Sequence, residues 1–209
     1  YPDWEEFSGI NIKQLRTRPQ ADYPRKIRES IPDWMDELCD AELGDRWERE
    51  LRALNEQAHV VLRANSLKNS VKDLAALLNE DGIETSELSD FPDALVLRKR
   101  QNIFQTEYFR NGLFEVMDAA SQWVAPFLKA EAGMRVIDAC AGGGGKTLQL
   151  AALVNNKGKI IALDTEDWKL DELSKRARRA GAFNIETRTI DSGKVIKRLE
   201  KSADRLLLD

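Results

Sequence analysis

From residue 118 onward, short apolar runs alternate with longer stretches whose apolar positions recur every three or four residues. The short runs, at 134–138, 159–164, 185–190 and 204–208, read as buried strands. The stretches between them, at 118–130, 146–154, 167–180 and 193–200, read as helices with one apolar face. Regular alternation of this kind predicts a parallel sheet with right-handed crossovers, and ligands of such sheets sit beyond the C-terminal ends of the strands. Residues 59–117 have a different rhythm. A strand at 60–65 precedes a helix over Val71–Glu80, with Ser70 as its N-cap and Val71, Leu74, Ala75, Leu77 and Leu78 as its buried stripe. Further short strands are predicted at 94–97 and 113–116, which makes a small α+β module. Residues 1–58 are polar and mostly helical. Pro19 and Pro24 interrupt them, a helix starts at Pro32-Asp33 and runs to about Cys39, and a second covers 45–55 with Trp47, Leu51 and Leu54 on one face. Trp4, Trp34 and Trp47 read as anchors onto neighbouring surface.

Composition narrows the classes. The formal net charge of −4 argues against a nonspecific polyanion binder, yet the balance shifts from acidic before residue 58 to basic after residue 131. Arg98-Lys99-Arg100 and Lys175-Arg176-Ala177-Arg178-Arg179 are the basic clusters, and each reads first as the solvated face of its element. No apolar stretch approaches the roughly 20 residues of a membrane helix, and no secretory signal pattern is visible. The two cysteines, Cys39 and Cys140, make no disulfide framework, and the one histidine, His59, has no acidic neighbour in sequence and reads as ordinary surface. These features fit a cytoplasmic location, with no membrane and no metal expected.

Chemistry concentrates at Val136-Ile137-Asp138-Ala139-Cys140-Ala141-Gly142-Gly143-Gly144-Gly145-Lys146-Thr147. A strand, a glycine turn and a helix start bring backbone N–H groups close to a ligand. Asp164, which ends the next strand, is spaced to hold ribose hydroxyls. A phosphate-binding loop of the G-x-x-x-x-G-K-[ST] type would need glycine where Cys140 stands. The dinucleotide fingerprint G-x-G-x-x-G would need glycine at Thr147 or Leu148. What remains is an acidic strand end, a glycine turn and a second acidic strand end, which suits S-adenosyl-L-methionine. Asp138, Asp164, Asp191 and Asp209 each stand at the end of a predicted strand.

The run Asp138 to Thr147 is similar to the D-x-C-A-A-P-G-G-K-T signature of the Sun/Nop-type RNA (cytosine-5) methyltransferases, with Gly142-Gly143 in place of Ala-Pro. Val61 to Lys68 resembles the family's L-R-x-N-x-L-K. Gly112 to Gln122 resembles its G-x-x-x-x-Q-D-x-A-S-Q, with Met117 in place of Gln. The resemblance covers roughly residues 60–209. It implies a Rossmann-like class I methyltransferase sheet, of which the first four strands are present over residues 118–209. It also implies a small RNA-recognition-like module over 59–117 and a helical segment over 1–58. Cys140, Ala141, Gly142, Gly143, Gly144, Gly145 and Lys146 would wrap the methionine part of the cofactor. Asp164 would hold the ribose, Asp191 would meet the adenine amino group, and Asp209 would close the site near the methyl donor. Arg63, Asn65 and Lys68 are expected at RNA or at the domain junction.

In the family a cysteine thiolate adds to carbon 6 of an unstacked cytosine, which makes carbon 5 nucleophilic toward the methyl group. A base then removes the carbon 5 proton and the thiolate leaves. The attacking and releasing cysteines both lie beyond the position of Asp209, so no catalytic residue is assigned here and Cys140 does not inherit the role. With Tyr1 first and a strand end last, the chain reads as the front half of an enzyme of RNA, ribosomal RNA before transfer RNA. It is expected to be inactive alone, with Leu206, Leu207 and Leu208 on an open, self-associating strand edge. Two competing readings stay open: a non-catalytic RNA-binding module with a vestigial cofactor fold, and a P-loop nucleotide-binding protein.

Overall fold

The computed structural model describes residues 23–209, and the chain divides after Ala58 into two compact units. In the first, Pro24 precedes a short helix α1 (Arg25–Arg28), Pro32 precedes α2 (Asp33–Leu43), and a 3-10 turn at Gly44–Arg46 leads into α3 (Trp47–Asn55). Arg25 ties α1 to α2 through Asp36 and Asp40, and the Trp47 indole N–H donates to the same Asp36 carboxylate at 2.8 Å. Only Trp47 and Leu51 of the expected α3 face are buried. Leu54 is exposed because burial along that face ends one turn before the helix does. Trp34 is likewise exposed, while Trp4 and Pro19 lie outside the described residues.

The second unit begins with β1 (Val61–Ala64), α4 (Val71–Glu80), β2 (Thr85–Leu88), β3 (Phe91–Leu97), α5 (Glu107–Arg110) and β4 (Phe114–Val116). The strands form one antiparallel sheet in the order β2-β3-β1-β4. Ser70 caps α4 through a full capping box with Asp73, so the helix starts where its sequence signal stands. Leu62, Leu74, Leu78, Leu95 and Phe114 fill the core between α4 and one sheet face. Strand β2 and helix α5 are additions to the sequence expectation. Thr85-Ser86-Glu87-Leu88 carries a single apolar residue and is a strand only because β3 offers it a hydrogen-bonding edge.

Helix α6 (Ala119–Phe127) follows, capped by the Asp118 carboxylate on the Ala120 N–H. It contacts β1 and β3 of the module and also α7 (Gly145–Leu153), the first helix beyond the glycine turn. Then β5 (Arg135–Asp138), β6 (Lys159–Asp164), β7 (Ile185–Thr189) and β8 (Arg205–Leu207) form an all-parallel sheet in the order β7-β6-β5-β8, with α8 (Asp167–Ala180) and α9 (Gly193–Lys197) in the crossovers. Alternation along the strands makes two cores. Val136, Ile160, Ala162 and Leu207 face the helices α7 and α8, whereas Ile137, Ile161 and Leu163 face Leu199 and Val195. Strand β8 lies at the sheet edge. Leu207 is buried, and Leu206 and Leu208 are exposed beside an apolar hollow of about 600 Å³. No described helix is long and apolar enough to cross a membrane.

Candidate functional site

The strand order puts the ends of β5 and β6 side by side, and the glycine turn rises between them. Asp138 is buried at the end of β5, where its carboxylate accepts from the Thr147 hydroxyl at 2.7 Å. Burial pushes this carboxyl above its ordinary value of 3.8, against the hydrogen bonds from Thr147 and the Cys140 N–H and against the Lys146 charge. The raised value means that the native state binds the proton more tightly than the unfolded chain. This contribution to stability is therefore full below pH 3.8 and is lost as pH rises through the native value. Replacing Asp138 by Asn should flatten that limb of the stability–pH curve. Chemical denaturation at several pH values from 3 upward, run on both proteins, measures it.

Gly142 and Gly144 both take positive φ, at 52° and 86°. Gly144 is the N-cap of α7, and a Cβ there would stand 2.5 Å from Leu173 Cγ of α8. Gly145, one residue on, is helical and has open space where its Cβ would be. The fold therefore needs glycine at 144 but not at 145. Gly144→Ala should lower stability by about 1–3 kcal/mol. Gly145→Ala, in helical backbone with room for a methyl group, should keep or slightly raise the melting temperature, and thermal unfolding of the two variants separates these outcomes.

Asp164 ends β6 and receives the Gly142 N–H at 2.8 Å and the Glu166 N–H at 3.0 Å. Burial opposes its charge, but these N–H groups and the Lys169 ammonium prevail and hold its carboxyl below the ordinary value. The Lys146 ammonium reaches back from the first turn of α7 to pair with Asp209, just past β8. Around the turn lies a pocket of about 270 Å³. Cys140, Ala141, Gly143, Gly144, Gly145 and Lys146 line it from the turn, Met117, Asp118 and Ser121 from the start of α6, and Asp138 and Arg176 complete it. Gly142, Asp164, Asp191 and Asp209 are not among the residues that line this pocket, and Asp191 sits after the neighbouring strand β7. It is exposed and accepts from the Ser192 hydroxyl; its neighbour Ile190 is joined to the Asp164 carbonyl. Among the described residues no group of His, Cys, Asp and Glu is arranged to hold a metal ion.

The three residues expected at RNA or at the domain junction all make contacts within the fold, Arg63 and Asn65 in its interior and Lys68 on exposed surface. Arg63 is buried in β1 opposite Glu115, and burial pushes its guanidinium down to about 10 despite the Glu115 and Asp93 charges. Asn65 is also buried, and its amide donates to the carbonyls of Gly112 and Ala180, both at 2.8 Å. The Lys68 ammonium donates to those of Asn111 and Arg179. Two of these four carbonyls belong to the last turn of α8, which has no partners of its own within the helix. Gly112 fits the same end closely: its φ is 68° and a Cβ would meet the Arg179 oxygen at 2.1 Å.

Sequence reasoning missed Glu115 and Arg176. The buried Glu115 carboxylate of β4 holds Arg176 at 2.9 Å and Arg179 at 2.6 Å, so two members of the basic run on α8 are not a solvated face. Arg176 also donates to the Gly143 carbonyl inside the glycine turn. Glu115 sits within the Gly112 to Gln122 segment, but nothing in the linear sequence pairs it with a helix some 60 residues later.

A four-stranded parallel sheet, a glycine turn after β5 and an acid at the end of β6 define the front part of a class I, Rossmann-like methyltransferase domain. Two family profiles match the chain: a ferredoxin-like domain of RsmF/B-like methyltransferases over residues 31–104, and the 16S rRNA methyltransferase RsmB/F family over residues 125–209. The chain belongs to the Sun/Nop-type RNA (cytosine-5) methyltransferase family. It is 34% identical over 183 residues to the "Probable ribosomal RNA small subunit methyltransferase B" of Synechocystis, with 86% of this chain and 41% of that protein covered. The "Ribosomal RNA small subunit methyltransferase B" of Pasteurella multocida is 33% identical, with 85% and 40% covered. The chain thus spans about two fifths of the length of these curated relatives. Among solved structures, a methyltransferase homologue from Pyrococcus horikoshii is similar with a TM-score of 0.79 and 27% identity, over 96% of this chain and 63% of that one. NSun6 from the same organism, solved with SFG, shares the fold with a TM-score of 0.79 at 19% identity, over 87% and 71%.

Proposed function

We propose that the protein to which this chain belongs is an S-adenosyl-L-methionine-dependent methyltransferase forming 5-methylcytosine in RNA, with small-subunit ribosomal RNA as substrate in the cytoplasm. The observation that carries this reading is the bond from the Gly142 N–H to Asp164, which joins the glycine turn to the acidic end of the neighbouring strand. Such a pairing suits a ligand with a ribose on one side and an amino acid on the other. A nucleotide hydrolase is disfavoured because its phosphate-binding loop needs glycine where Cys140 stands.

The residues fit the cofactor. Cys140 to Lys146 would surround its methionine part, where open space at Gly145 lets backbone approach. Asp164, kept ionised by its N–H donors, has lone pairs left on both oxygens for the ribose hydroxyls. Asp191, in this reading, meets the adenine amino group. When bound, S-adenosyl-L-methionine supplies an electrophilic methyl group. The Lys146–Asp209 pair would orient the carboxylate beside the reacting base. The NSun6 neighbour was solved with SFG, an S-adenosylmethionine analogue, which supports the cofactor. The names of the relatives support ribosomal RNA over transfer RNA.

We also propose that residues 1–209 do not complete a turnover by themselves. Cys39 lies in α2 and Cys140 in the turn that would hold the cofactor, and the resemblance puts the attacking and releasing cysteines after Asp209. The test is tritiated methyl transfer to unmodified small-subunit ribosomal RNA, by the complete protein and by these 209 residues. The complete protein should incorporate label at cytosine carbon 5 and the fragment should not. Tight ATP binding without any response to S-adenosylhomocysteine would overturn the cofactor reading, and turnover by the fragment would return Cys140 to consideration as nucleophile.

A further inference from the structure

With Arg63 and Asn65 buried in the junction, an RNA substrate needs another surface. The segment between β3 and α5 supplies one. Arg98, Lys99, Arg100, Gln101, Asn102 and Phe104 are all exposed there. The three cations make none of the ion pairs found among the described residues. A solvated face would not require the rest of the arrangement. Ile103 is plugged into the module core, and Thr106 locks the following turn by donating to the Ile103 carbonyl and accepting from the Phe109 N–H. Asn102 accepts from the Phe104 N–H. These contacts hold the Phe104 ring outward, with more than half of the residue in solvent, edge-on to Phe109 at 5.0 Å. The Arg179 guanidinium lies 4.0 Å from the Phe109 ring.

Phe104 lines a hollow of about 280 Å³ with Phe109, Val116, Arg176 and Arg179 and with the carboxylates Glu115 and Glu172, of which Glu115 is paired to the two arginines. Arg176 is also a wall of the pocket around the glycine turn. The hollow thus links Phe104 to the wall of the glycine-turn pocket, and the three exposed cations stand four to six residues before Phe104 in the same segment.

We propose that this surface, from Arg98-Lys99-Arg100 past Phe104 to Arg176, binds the single-stranded RNA that flanks the target nucleotide; the inference rests on the RNA methyltransferase reading above. The cations match phosphates, and an exposed ring held edge-on by its neighbour offers a face to any base. A base extruded for chemistry leaves its neighbours unstacked, and a stacking partner close to the pocket would hold them. An acidic protein segment would satisfy the cations but give the Phe104 ring no planar partner.

The test uses the complete protein and a fluorescein-labelled single-stranded RNA of about twelve nucleotides, with S-adenosylhomocysteine binding measured beside it. The R98A/K99A/R100A variant should bind the RNA at least about tenfold more weakly, and its plot of log affinity against log salt should be shallower by about 2. Phe104→Ala should lose about 5- to 150-fold with the salt slope unchanged, and Phe104→Trp should retain binding. All three should bind S-adenosylhomocysteine like the parent. RNA affinity that stays at the parent level in both the triple variant and Phe104→Ala would overturn the proposal. So would Phe104→Trp as weak as Phe104→Ala, or an acidic peptide that competes with the RNA and shows the same dependence on Phe104. A parent protein with this RNA dependence that neither binds S-adenosylhomocysteine nor transfers methyl would instead overturn the functional reading and leave the surface standing.

Discussion

Replacing Asp164 by alanine is expected to weaken S-adenosylhomocysteine binding to the complete protein by about 1.5–3 kcal/mol, roughly 10- to 150-fold. Two losses combine in that figure. The carboxylate would no longer meet the ribose, and the Gly142 N–H would lose its acceptor at the point where the turn is joined to β6. Asp164→Asn keeps one acceptor oxygen and should fall between the parent and the alanine variant. Asp191 is exposed and, among the described residues, its side chain is bonded to the adjacent Ser192 hydroxyl alone, so Asp191→Ala should change affinity less. Isothermal titration calorimetry ranks the three. An Asp164→Ala protein that binds as tightly as the parent would remove this residue from the site.

Replacing Glu115 by alanine is expected to cost about 2–4 kcal/mol of stability. Breaking a buried ion pair from one side costs about 3–5 kcal/mol, and here Arg176 and Arg179 each keep about a fifth of their side-chain surface in water, which lowers the figure. The effect should not stop at stability. Arg176 holds the Gly143 carbonyl, so freeing it from Glu115 loosens the turn from a strand in a different module. Cofactor affinity should therefore fall in Glu115→Ala even at temperatures where the protein is fully folded. Urea denaturation and calorimetry on Glu115→Ala, Arg176→Ala and the double variant form a cycle. A coupling near zero would mean that Glu115 and Arg176 act independently.

The helices and strands of residues 118–209 were legible because each is long enough, or apolar enough, for its period to show. The shifts between expected and observed ends are small, as at β8, where 204–208 shortens to Arg205–Leu207. The Ser70 cap and the glycine turn were legible for a related reason: each depends on a residue type whose local conformation is special. Local sequence therefore determined the order of these elements, the sheet type and the place of the glycine turn. It also contained Asp138 and Asp164, because acids at the ends of adjacent parallel strands are brought together by the topology itself.

Only the tertiary structure decided what the polar residues do. Arg63, Asn65 and Lys68 look free in the sequence, yet the last turn of α8 presents carbonyls that Asn65 and Lys68 satisfy, and burial against Glu115 takes Arg63 out of solvent. The basic run on α8 divides in the same way, with Arg176 and Arg179 turned to Glu115 while Lys175 and Arg178 stay in water. Thr85–Leu88 became a strand because β3 needed a partner, not because of its own residues. The physical reason is common to all of these. An apolar side chain reports its burial through periodicity, because any apolar neighbour will serve. A charged or amide group reports nothing until the one donor or acceptor that satisfies it has been brought within about 3 Å by the rest of the chain.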